Sequence, residues 1–103
     1  MNEHIHYEFH GMDPSDWTAS YVEAEFDALL AIAPKNCHMK VKIEKYESGI
    51  EGKLVAYSDG GAFVVKDYAE DITALTKSLK KKMKAKLYKW RDAVHAYQHG
   101  RAG

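Results

Sequence analysis

The sequence predicts an α+β domain of order β-α-β-β-β-α, with a four-stranded mixed sheet and two helices on one of its faces. Three observations carry this. Two stretches alternate apolar and polar residues, the signature of half-buried strands, and two more strand-like segments follow between turn signals. Two longer stretches repeat apolar residues every three or four positions, as amphipathic helices do. The connections after the second and third strands are short and turn-like, which makes strands two, three and four antiparallel neighbours. The first connection carries a helix, so strands one and two are parallel.

The first strand is His4 to His10, with Ile5, Tyr7 and Phe9 on one side and His4, His6, Glu8 and His10 on the other. Asp13-Pro14-Ser15-Asp16 reads as a helix start with Asp13 as N-cap and Pro14 at the first helical position. Val22, Phe26, Leu29 and Ala33 form the stripe of this helix, widened by Trp17, Tyr21 and Ile32, and Pro34 ends it. Ser20, Glu23 and Asp27 give it an acidic outer side.

Cys37 to Tyr46 alternates again, with Cys37, Met39, Val41 and Ile43 inside and His38, Lys40, Lys42 and Glu44 outside. Glu47-Ser48-Gly49 turns the chain into a third strand, Ile50 to Ser58. Asp59-Gly60-Gly61 is a hairpin turn. A fourth strand, Ala62 to Asp67, leads into the last helix, with Asp67 and Glu70 as a capping box.

The last helix dominates the chain. Ile72, Leu75, Leu79, Met83, Leu87 and Trp90 form its apolar stripe. At 100° per residue, Lys77, Lys80, Lys81, Lys84 and Arg91 fall on the opposite side, and Lys82 and Lys89 flank the stripe. Lys86 adds to the same cationic segment, and no carboxylate occurs between Asp71 and Asp92. Such a face suits a phosphate backbone. The stripe continues weakly through Val94 and Tyr97, and Gln98 to Gly103 reads as a frayed tail. Residues 1–92 are therefore one domain, and residues 93–103 are the helix end and a flexible tail. A helix of this length outruns the strands, so its basic C-terminal turns are expected to overhang the sheet.

The chain has 103 residues and a formal net charge of zero. That balance hides an asymmetry. Residues 1–70 carry six Lys/Arg against thirteen Asp/Glu, a net −7, whereas residues 71–103 carry nine against two, a net +7. The split points to a polyanionic partner for the second part and also allows weak self-association. No apolar run is long enough to span a membrane, and MNEHIHYEFH lacks the character of a signal peptide. The single Cys37 fits a reducing, cytoplasmic location and reads as an inert core residue.

Six histidines raise the question of a metal, since His4, His6 and His10 share one strand face with His38 beside them. Only Glu8 could complete a ligand set there, so no metal or other cofactor is expected. A polar face that gains charge as the solution acidifies is the simpler reading. No catalytic triad, paired carboxylates or phosphate-binding Gly loop stands out, and no enzymatic activity is expected. Trp17 and Trp90 read as core, whereas Tyr46, Tyr57 and Tyr88 could each stack on a nucleotide.

The element order, closed by DYAEDITALTKSLKKKMKAKLYKW, resembles the ribosome hibernation-promoting factor and ribosome-associated inhibitor family (sigma-54 modulation protein), in its short form. The resemblance runs from about Glu3 to Arg91 and is most specific at Ala69-Glu70-Asp71-Ile72 and at Tyr21-Val22-Glu23. It implies a fold related to double-stranded-RNA-binding domains. It also implies binding to small-subunit rRNA in the decoding channel, and inhibition of translation under stress. Lys82, Lys89 and Arg91 are carried over by position. Lys77, Lys80, Lys81, Lys84 and Lys86 are added by the charge pattern of the helix, and Lys40, Lys42 and Lys66 by the open sheet face. DNA and membranes are not expected partners.

Three regions depart from the family pattern. Its arginine in the last helix is Ala85 here, its Gly-Arg-Asn-like turn is the shorter Gly11-Met12-Asp13, and Ala24, Glu25 and Asp27 replace lysines of the first helix. These departures support a second reading, a protein-interaction module of the same fold that no longer binds ribosomes.

Overall fold

The computed structural model describes the backbone of residues 4–102 and the side chains of residues 4–94. The elements are β1 (Ile5–His10), α1 (Asp16–Leu30), β2 (His38–Tyr46), β3 (Gly49–Ser58), β4 (Gly61–Ala69) and α2 (Ile72–Ala102). The sheet order is β1-β2-β3-β4, with β1 and β2 parallel and the other two pairs antiparallel. This is the α+β fold the sequence predicts.

One face of the sheet holds the core. Ile5, Met39, Val41, Ile43, Ile50, Leu54, Ala56 and Val65 form one buried cluster with Val22, Phe26 and Leu29 of α1 and Leu75, Leu79, Met83 and Leu87 of α2. Both helices therefore cover the same side. Gly52 lets α2 come down on β3, because a Cβ built there would stand 2.7 Å from Leu79 Cδ1 and 3.0 Å from Leu75 Cδ2.

Both helix starts differ from the sequence expectation. Ser15, not Asp13, caps α1; its Oγ accepts from Thr18 N at 3.2 Å and its carbonyl from Ala19 N at 2.9 Å. Asp71, not Asp67, stands at the start of α2; its Oδ1 accepts from Ala74 N at 2.8 Å and its carbonyl from Leu75 N at 3.1 Å. The reason is that β4 runs on to Ala69, paired with Ile50, so Asp67 is still strand. The Asp67 carboxylate turns to the helix side and accepts from the Ser78 hydroxyl. Asp71→Ala should cost about 1 kcal/mol. In a thermal melt that is a fall in Tm of roughly 4–8 °C, and a Glu70→Ala control should leave Tm nearly unchanged.

Helix α1 stops at Leu30 rather than Ala33. Its last turn tightens into bonds from Ile32 N to Leu29 O (3.2 Å) and from Ala33 N to Leu30 O (3.4 Å), ahead of the buried Pro34. Helix α2 is longer than expected and stays helical past Gln98 to Ala102. Gly103 and the side chain of Tyr97 lie outside the described residues.

Trp90 closes the end of the sheet. Its ring meets Phe63 edge-on at 6.4 Å and packs against the β3–β4 hairpin, where a Cβ on Gly60 would lie 2.8 Å from it. The lysine-bearing turns before it thus run alongside the sheet, and only the turns after Trp90 project beyond it. Trp17 is not a core residue: it is 69% exposed and lies flat on Tyr21, ring centroids 5.6 Å apart.

Candidate nucleic-acid interface

Helix α2 descends antiparallel to β4, and its buried stripe fixes where every lysine goes. Lys77, Lys81, Lys84 and Arg91 point away from the core and are exposed. None of the four has an ion pair among the described residues, and Lys84 Nζ stands 6.0 Å from the centroid of the Tyr88 ring. Lys89 is exposed beside them.

The remaining helix lysines are occupied. Lys80 pairs with Glu25 of α1 at 3.3 Å, both side chains about three-quarters buried. Glu25 thus faces α2, away from the outer side of α1 that carries Glu23 and Asp27. On the other flank, Lys82 pairs with Asp67 at 3.3 Å and donates to Lys66 O at 3.1 Å, while Lys86 donates to Val64 O at 2.7 Å. The lack of acids within the helix is real, but Glu25 and Asp67 from other elements neutralise two of its charges.

The open sheet face carries the other predicted lysines. The register places Glu8, Lys42, Lys53 and Lys66 in one transverse row. Lys40 lies in the next row beside Val55 and Val64, and His38, Tyr57 and Ala62 form the row after it. On the other side run His10, Glu44, Glu51 and Tyr68. Lys40 pairs with Glu8 at 3.6 Å and Lys42 with Glu44 at 3.3 Å. Lys53 and Lys66 have no ion pair among the described residues.

Lys53 is the functional candidate that sequence reading missed. Its signal lay in the turns. Taken as two-residue loops, Glu47-Ser48 and Asp59-Gly60 put Lys53 directly between Lys42 and Lys66. Gly61 has φ +114°, and Ser58 Oγ accepts from Gly60 N at 3.2 Å, which holds the second turn.

Two carboxyls and one hydroxyl of this face are shifted by their neighbours. Partial desolvation pushes the Glu8 carboxyl up, but Lys40 and His6 outweigh it and hold it below the usual carboxylate range. Glu44 is lowered by the hydrogen bonds that Tyr46 and Lys42 donate to it. The same bond to Glu44, 2.6 Å long, pushes the Tyr46 hydroxyl up to about 12. Burial raises the Cys37 thiol, which keeps it protonated and inert.

The histidines do not converge on one point. His6 and His10 flank Glu8 at 3.7 and 3.8 Å, and the His4 and His38 rings lie 5.4 Å apart. No group of three or more His, Cys, Asp or Glu positioned to hold a metal occurs among the described residues. No helix among them is long and apolar enough to cross a membrane.

No family model matches the chain, and no curated protein matches it. Solved structures do. The N-terminal domain of Protein Y from Thermus thermophilus superposes with a TM-score of 0.74 at 15% identity, over 84% of this chain and 97% of that one. A ribosomal subunit interface protein from Coxiella burnetii gives a TM-score of 0.73 at 16% identity, over 86% and 98%. The β-α-β-β-β-α fold that the hibernation-factor resemblance implied is the fold this chain shares with both.

Proposed function

We propose that this chain is a non-enzymatic, cytoplasmic ribosome-associated protein that binds small-subunit rRNA in the decoding channel and inhibits translation under stress. The observation that carries this is the outward face of α2, where Lys77, Lys81, Lys84 and Arg91 stand exposed without a carboxylate partner among the described residues. The fold shared with a protein named for the ribosomal subunit interface supports the same reading. The mechanism is electrostatic and steric. Each ammonium meets a phosphate as a point charge and positions the domain without reading sequence, and the bound domain fills the channel. The acidic α1 is less of an obstacle than its composition suggests, because Glu25 already faces Lys80.

Sedimentation with ribosomes on sucrose gradients at low and moderate salt tests this. Co-migration with the small subunit that weakens as salt rises is the expected result. Absence of co-migration at low salt would remove the ribosome as partner. A complex that survives nuclease treatment would favour the protein-interaction module instead.

A further inference from the structure

The lysine row of the sheet is a different kind of surface from the helix. Lysines directly opposite one another on neighbouring strands repel. Lys42, Lys53 and Lys66 stand opposite one another in three successive strands, and only Lys42 has a carboxylate partner among the described residues. Such a row costs stability in the free protein and is relieved by an anion laid across it. The anion has a preferred side of approach. Glu44 and Glu51 border one flank of the row, whereas the other flank opens on a shallow groove lined by Lys40, Lys42, Lys53, Val55 and Tyr57, with Glu8 at its β1 end. Tyr57 is 54% exposed, and Val64, in the row between it and Lys66, is 40% exposed. An exposed aromatic ring and aliphatic surface therefore sit next to uncompensated ammonium groups on a flat face.

We propose that this open face is a second nucleic-acid site, specific for unpaired segments, in which Tyr57 stacks a base and Lys53 and Lys66, with Lys42, take the adjoining phosphates. An exposed tyrosine ring can stack only on a base whose own face is free, which a duplex withholds. The ammonium groups hold the backbone without choosing a sequence. The site shares the polyanion chemistry of the proposed function but uses a different face of the molecule, so each can fail alone.

Fluorescence anisotropy of the full chain with a short labelled oligouridine, and with an RNA duplex of equal length, tests the proposal at several salt concentrations. Tighter binding of the single strand is expected. Tyr57→Ala should weaken it about tenfold, and Tyr57→Phe, which keeps the ring, should restore it. Lys53→Ala should lower the slope of log affinity against log salt by about 0.7. Thermal melts check that each variant is folded, and Lys53→Ala should melt no lower than the parent. Equal affinity for duplex and single strand, or Tyr57→Ala and Lys53→Ala variants that bind like the parent, would overturn the proposal. Reversal of the α2 lysines should leave oligouridine binding in place while removing ribosome binding. Loss of oligouridine binding on that reversal would assign the activity to the helix and likewise overturn the sheet site.

Discussion

Changing Lys77, Lys81 and Lys84 together to glutamate should abolish co-sedimentation with ribosomes and leave the protein folded. The three side chains are exposed on the outward face of α2 and form no ion pair among the described residues. Reversal replaces three phosphate-binding charges with three that repel phosphate. Each phosphate contact contributes about 0.9 to the salt slope on a duplex, so three lost contacts remove several orders of magnitude of affinity at moderate salt. Lys80 is deliberately left in place. A glutamate there would face Glu25, and its effect would mix helix–helix repulsion with lost RNA contact. Unchanged far-UV circular dichroism together with ribosome binding like that of the parent would refute the proposed interface.

The largest expected effect on stability lies where α2 meets β3. Leu79 is fully buried and lies over the bare backbone of Gly52. Leu79→Ala should cost about 2–5 kcal/mol, a large part of the stability of a domain this size. Gly52→Ala should cost about 1–3 kcal/mol, because the added methyl falls at 2.7 Å from Leu79 Cδ1 and the packed core resists the shift. The informative experiment is the double variant. If the two residues are matched in size, the methyl at position 52 occupies space vacated at position 79, and the double variant loses less than the two single losses combined. Urea denaturation of all four proteins measures this, and strict additivity would show that the close approach at Gly52 is not what fixes the helix on the sheet.

Much of this was legible in the residues. The alternation of β1 and β2 assigned their faces, and the stripe from Ile72 to Trp90 set the direction of every lysine on α2. Pairing across elements was not legible. Nothing near Lys80 in sequence announces Glu25, and nothing near Lys82 announces Asp67 as its partner, because both contacts arise only once helix and sheet are stacked. Asp67 misled for the same reason: its side chain suits a helix cap, but the pairing of Ala69 with Ile50 keeps the strand going past it. Lys53 was hidden by Leu54-Val55-Ala56, three apolar residues in succession that blur the two faces of β3. Trp17 reads as core because large rings usually are buried, yet it sits in the first turn of α1 and lies against Tyr21 instead.

Lys82 and Lys86 add a consequence of their own. β4 is the last strand of the sheet, and these two amines donate to its Val64 and Lys66 carbonyls. A bare final strand is a template on which a second chain can add its own strand. The two side chains act as guards against that growth. Acetylating them, or drawing them away to a bound polyanion, would release the carbonyls. Shielding the strand edge and meeting a polyanion would thus draw on the same pair of nitrogens.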